Sequence, residues 1–258
     1  MPRRFAPLLV LVAMFAIACN AAPPAPALTD PKEILTKTVL SLKDVKTVDA
    51  TGDLTGTFSA TGSSIDLKGT SFELAADIPG KKFKASASVP ALLNTSLEAI
   101  GVDQTLYYKV LGPLAATLNA DPTGKYTKVD MPAASGSPGE AAADPLKAID
   151  DFKAALDKLP TAPTKGANEK CGDQDCYHVT IKVTSQDLQS MSPDAGSSLG
   201  AMPFTLNVDV WSRTNDLRPA KIVFGIDGGT QGNAALTVNF AYDTSVSIQA
   251  PPADQIAP

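Results

Sequence analysis

Much of the chain alternates between apolar and polar residues. Val48, Ala50, Leu54 and Phe58 recur at even spacing with mainly polar residues between them, and so do Phe83, Ala85, Ala87 and Val89. A period of two predicts strands with one apolar face. Ile65–Asp77 alternates in two registers, which predicts a bulge near Gly69. Ile78-Pro79-Gly80-Lys81 reads as a turn, and Ser96–Val110 as two strands around a turn at Gly101–Asp103. The last third holds four further faces: Tyr177, Val179, Ile181 and Val183; Phe204, Leu206, Val208 and Val210; Ala220, Ile222, Phe224 and Ile226; Leu236, Val238, Phe240 and Tyr242. Thr214-Asn215-Asp216 and Gly228-Gly229 supply turns between them.

Two segments carry a helical period instead. Asp30 stands as a cap, Pro31 occupies the first helical position and Glu33 follows three residues after the cap. Ile34, Leu35, Val39 and Leu42 then share a face, so a helix is expected over Asp30–Leu42. Asp144-Pro145 opens a second helix, with Leu146, Ile149, Phe152, Leu156 and Leu159 on one side and Pro160 at its end. Between the two lies a low-complexity stretch, Met131–Ala143. Ser185–Met202 reads as a short helix and loop. Helix, strands, helix, strands is an α+β order with a mainly antiparallel sheet.

Eight to eleven strands spaced at about 4.8 Å make a sheet roughly 40–50 Å broad. Two helices about 10 Å across cover roughly half of it. The remaining apolar face can be filled by curling of the sheet, can enclose an apolar ligand, or can be buried against a partner. On the residues alone, a dry, curled core comes ahead of a lipid cavity.

The N-terminus changes the picture. MPRR carries two arginines, and the apolar run from Phe5 to Ala18 has 14 residues, short of the roughly 20 that a spanning helix needs. It reads as a signal-peptide core on the general secretory route. The run ends in Ala16-Ile17-Ala18-Cys19, which resembles the lipobox of bacterial lipoproteins with Ala where Leu is usual. That resemblance implies that residues 1–18 are removed and that Cys19 is acylated and becomes the first residue of the mature chain. Two or three acyl chains give lasting membrane attachment where one does not. Residues 19–29, the lipidated Cys and an Ala/Pro-rich stretch, then form an extended tether, and residues 30–258 form a single domain. Loss of Arg3 and Arg4 moves the net charge from −5 to −7. The expected location is the extracytoplasmic face of the cell membrane.

Composition excludes more than it selects. Lysines and arginines are scattered without a basic stripe, which argues against nucleic acid. The single histidine, His178, leaves little room for histidine-based catalysis. No nucleophile, base or metal set stands out, so neither an enzyme nor a cofactor is expected. Cys171 and Cys176 flank the turn-like Gly172-Asp173-Gln174-Asp175. Zinc would need about four ligands, and their spacing is not that of a redox pair. In an exported chain a disulfide across a hairpin is the favoured reading, contributing about 2 kcal/mol by the loop-entropy model. By alternation His178 faces solvent with Thr180 and Lys182, and Trp211 reads as a core or edge residue.

Several segments occur in a telling order: the lipobox cysteine, the Pro/Ala tether, DPKEILTKTVLSLKDVKTV, GDLTGTF, LYYKV, GKYTKV, DCYHVTIKV, PFTLNVDVWSRTNDLRPAKIVF and ALTVNFAYDTSVSIQAPPADQIAP. Together they resemble the LppX/LprG group of mycobacterial lipoproteins, related in fold to the Lol-type lipoprotein carriers. The resemblance covers about Pro31 to the end. It implies a large curved antiparallel sheet, a half-barrel, with two main helices packed on its concave side. It also implies an apolar cavity for an acylated lipid or glycolipid, carried or presented within the cell envelope, and no catalytic residues. The candidate lining residues are Leu54, Phe58, Phe83, Leu97, Leu206, Val208, Ile222, Phe224, Val238 and Phe240. A structural or partner-binding surface lipoprotein with a filled core is the alternative. The lipid, the direction of transfer and any envelope transport partner stay unnamed.

Overall fold

A computed structural model describes residues 27–60, 63–130, 150, 153–154, 156–159, 161–191 and 203–258. The described residues open with helix α1 (Pro31–Ser41). Asp30 caps it as the sequence predicts, its carboxylate accepting from the N–H groups of Lys32 and Glu33 at 2.8 and 3.4 Å. Seven strands follow: β1 (Thr47–Ala60), β2 (Ser63–Asp66), β3 (Thr70–Asp77), β4 (Lys82–Val89), β5 (Thr95–Val102), β6 (Thr105–Leu111) and β7 (Thr127–Asp130). The second half adds β8 (Thr164–Lys165), β9 (Glu169–Cys171), β10 (Gln174–Thr184), the short helix α2 (Ser185–Met191), β11 (Thr205–Arg213), β12 (Pro219–Asp227) and β13 (Gly232–Tyr242).

All thirteen strands join one curved, open sheet in the order β7-β6-β5-β4-β3-β1-β13-β12-β11-β10-β8, with β2 beside β1 and β9 beside β10. Every strand pair is antiparallel. Thirteen exceeds the expected number because β2, β7, β8 and β9 have only two to four residues each. The two registers of Ile65–Asp77 belong to two strands rather than to one bulged strand. Leu67–Gly69 turns between β2 and β3, with Gly69 at φ +82. β1 pairs with β3 over Thr47–Leu54 and with β2 over Thr57–Ala60. The β5–β6 turn is Asp103-Gln104, both at positive φ, as a two-residue type I′ hairpin requires.

Of the expected pair of main helices, the first stands whole among the described residues. Only α1 is a main helix among the described residues, because most of the second expected helix, from Asp144, lies outside them. Of that segment Asp150, Lys153, Ala154, Leu156 and Asp157 are helical. Lys32 pairs with Asp157 and Lys43 with Asp150, so these residues run antiparallel to α1.

The main core lies between α1 and one end of the sheet's breadth. Ile34, Leu35 and Val39 pack with Leu156 and with Tyr177, Val179, Ile181, Val183 and Val210, and Leu206, Val208 and Ile222 border the cluster. Within it Thr38 donates a buried hydrogen bond to Ser212 at 2.7 Å. The Leu28 N–H donates to the Tyr177 hydroxyl at 3.1 Å and pins the start of the domain there. A second core lies on the opposite face: Ile100, Val102 and Tyr126 with Ile248, and Tyr107 and Val246 beside them. The C-terminal segment is thus a strap across the back of β5 and β6, held by the exchange of backbone hydrogen bonds between Tyr126 and residues Gln255 and Ala257.

Candidate functional site

Residues directly opposite in an antiparallel ladder share a face. One row therefore crosses nine strands: Val110, Leu97, Ala87, Phe72, Gly52, Val238, Ile222, Val210 and Val179. A second row holds Leu54, Leu236, Phe224, Val208 and Ile181. Others place Phe83 opposite Ala76 and Gly101, Leu206 opposite Ile226, Phe240 opposite Ala50 and Phe58 opposite Gly232. By alternation along each strand, all ten candidate residues lie on this one inner face, the face that carries α1.

Coverage of that face is uneven. Val179 is fully buried under α1, and Val183 and Val210 nearly so. Leu54, Phe58, Phe72, Leu74, Phe83 and Leu97 are only half-buried. Of the ten candidates, Val238 alone is buried. Among the described residues the helical cover reaches β10, β11 and Ile222 of β12 and goes no further.

Two glycines shape the open half. A Cβ on Gly52 would fall 2.0 Å from a Phe72 ring carbon, and one on Gly101 would fall 2.2 Å from a Phe83 ring carbon. Each phenyl ring therefore lies down over the glycine opposite it instead of standing off the sheet. The result is a low, apolar floor across β1, β3, β4 and β5.

On β10 and β11 the outer face is polar and holds a cluster that alternation alone did not reveal. His178 and Trp211 are direct cross-strand partners and stack with ring centroids 4.3 Å apart. His178 Nδ1 lies 3.1 Å from Glu169 and Nε2 2.8 Å from Asp209, which also accepts from Thr180 at 2.6 Å. The Trp211 N–H donates to Glu169 at 2.8 Å and, with His178 nearby, holds that carboxyl below its usual range. Lys221 Nζ sits 3.7 Å from the Trp211 ring centroid on the other side. His178 points outward as expected, yet it is enclosed rather than incidental, and Trp211 is buried on the polar face. Knowing that both residues occupy outward parity was possible from sequence; knowing that they are opposite required the register.

Cys171 and Cys176 form a disulfide, Cα atoms 6.0 Å apart, across the β9–β10 hairpin. Gly172, at φ +63, takes the first position of its two-residue turn, as a type II′ hairpin requires. Beside it is an outer cleft of about 540 Å³ that Lys170, Asp173, Arg213, Lys221 and Asn239 help to line. A second cleft, of about 310 Å³, is lined by Asp49, Ala50, Thr51, Glu73, Leu74, Ala75, Lys84 and Ser86. Of the ten candidates only Phe240 lines either cleft. Among the described residues no group of three or more His, Cys, Asp or Glu side chains could hold a metal. On the strapped back of β5 and β6, burial and the Glu98 carboxylate push the Tyr126 hydroxyl up to about 12. Glu98 itself, although burial pushes it up, is held below its usual range by Lys109 and Tyr126. Cys19 lies outside the described residues.

No family model and no curated relative matches the chain. Solved structures do. LppX from Mycobacterium tuberculosis, a lipoprotein, aligns over 85% of this chain and 98% of its own, with 10% identity and a TM-score of 0.51. The chain has the fold of LppX. LprF from Mycobacterium bovis aligns over 86% of this chain and 96% of its own at 18% identity, with a TM-score of 0.47. At these identities the likeness to LppX concerns the fold, and the residues on the sheet have to be argued on their own chemistry.

Proposed function

We propose that the chain is a membrane-anchored extracytoplasmic lipoprotein that binds the acyl chains of a lipid or glycolipid on the inner face of its sheet. It carries or presents that ligand within the cell envelope. Capture is non-covalent and needs no catalytic residue. The observation that supports this reading is the floor of half-buried apolar side chains that continues past the cover of α1. Burying a fully exposed side chain of this kind contributes about 1.5–3 kcal/mol; these are already half-buried, so each gives a fraction of that and the gain comes from covering several together. The C-terminal strap covers the back of β5 and β6, so a ligand would meet these strands from the inner side, at the half-buried Leu97 beside the buried Val110. The polar head of the ligand would stay at the mouth, and acylated Cys19 with its tether would keep the site close to a membrane.

The test uses the chain from Asn20 onward, which retains every described residue but not Cys19. Native mass spectrometry and organic extraction are expected to recover a co-purifying lipid, and Leu97→Asp is expected to abolish it. The alternative, a partner-binding lipoprotein with a filled core, is favoured by one fact: neither cleft is lined by more than one candidate residue. Purification free of lipid, with no uptake of added acyl chains, would establish that alternative instead.

A further inference from the structure

Four of the seven exposed large apolar side chains among the described residues belong to one end of the open half. Leu92 is 43% exposed and Leu93 74% in the β4–β5 loop; Leu111, at 44%, ends β6, and Leu118, at 46%, lies on the connection to β7. The two segments adjoin, since a Cβ on Gly112 would fall 3.1 Å from Thr95 Cα. Residues 85–97 and 110–120 carry no charge at all. Leu93 is held at φ +55, the left-handed region that L side chains avoid. A leucine both strained and presented to water is disfavoured twice, and strain of this kind concentrates at functional positions.

The surroundings indicate what the tip meets. Lys68 adjoins Gly69, whose Cβ position is 3.5 Å from Pro90, and Lys125 adjoins Gly124, whose Cβ position is 3.0 Å from Leu111. Among the described residues neither lysine is in an ion pair. The nearby carboxylates accept from backbone: Asp66 from the Lys68 N–H, and Asp121, which also lies within the field of the Lys125 charge, from the N–H groups of Thr123 and Lys125. A projecting leucine tip flanked by exposed ammonium groups outside any ion pair fits a soft, anionic, apolar layer better than the flat or concave surface of a folded partner. We propose that Leu92, Leu93, Leu111 and Leu118 form a tip that inserts into an anionic lipid bilayer surface. This contact is separate from the acyl anchor and from the floor of the sheet.

Flotation of the chain from Asn20 onward with vesicles of phosphatidylcholine and phosphatidylglycerol at 3:1 tests it, with hydrogen exchange to locate the contact. The chain is expected to float with these vesicles, with slowed exchange at residues 90–94 and 112–119. Leu93→Asp, which suits its φ better than leucine, is expected to weaken partitioning at least tenfold with an unchanged thermal melt. Lys68→Gln with Lys125→Gln is expected to weaken it about threefold on anionic vesicles and not on pure phosphatidylcholine. Should Leu93→Asp disturb the fold, Leu118→Asp and the exchange pattern decide. Absence of flotation, flotation without protection at the tip, or equal flotation of the folded leucine variants would overturn the proposal. A chain that co-purifies no lipid but still inserts by this tip would refute the proposed function and leave this inference standing.

Discussion

On the β10–β12 side of the sheet, Val179, Val183 and Val210 disappear beneath α1; on the β1, β3, β4 and β5 side, Leu54, Phe72, Phe83 and Leu97 follow the same alternation and stay half-buried. Alternation decides which face a side chain occupies. Whether that face is dry depends on what packs over it: among the described residues α1 and Leu156 cover β10 and β11, while Ala50, Val110 and Val238 are buried on the same face outside that cluster. Under the proposed function the first region holds the fold and the second meets the ligand, so substitutions should divide along that line.

The largest effect is expected from Val179→Asp. It places an unpaired carboxylate under α1 and should cost on the order of 4 kcal/mol or more, enough to abolish a cooperative thermal transition. The same change at Leu97, on the open half, should lower the melting temperature by only a few degrees while removing bound lipid. Equal loss of folding in both variants would erase the contrast. Next comes Ser212→Ala, which leaves the buried Thr38 hydroxyl without its partner and should cost about 1–3 kcal/mol in urea titrations. Adding Thr38→Val should recover most of that loss, since two apolar neighbours need no hydrogen bond. Gly101→Ala should act on the other half alone: it lifts the Phe83 ring off the floor and reduces lipid load, measured by native mass spectrometry, with a smaller change in stability. The smallest effect is a matter of pH. The Glu98 carboxyl is held below its usual range in the folded state, so its contribution is present above the unfolded value near 4.5 and fades as the pH falls through the lower, folded value. Glu98→Gln should flatten the acid limb of the stability curve slightly, with the neutral limb unchanged.

Much of this division was legible in the sequence. The Asp30 cap, the first helix, the parity of all ten inner-face candidates and the cysteine hairpin follow from local patterns that tertiary packing left intact. Pairing was not legible. The split of β1 between β2 and β3 depends on Gly69 turning the chain, and a glycine in an alternating run can equally mark a bulge. The His178–Trp211 stack depends on two strands meeting at one register. Ile248 belongs to a strap because of where Tyr126 lies, more than a hundred residues earlier. The second helix shows its period plainly from Asp144, but most of it falls outside the described residues.

Leu28, hydrogen-bonded to the Tyr177 hydroxyl, sits at the end of the sheet opposite the leucine tip. A chain acylated at Cys19 therefore has a leash of nine residues, about 30 Å when drawn taut. Eight strand spacings separate β10 from β6, about 38 Å. Were Cys19 acylated, the taut leash would be shorter than that span, so the tip would reach the bilayer that holds the anchor only with the sheet tilted down onto it. Deleting three residues between Asn20 and Ala27 should confine the tip to a surface facing that bilayer, and doubling the segment should let one membrane serve both contacts.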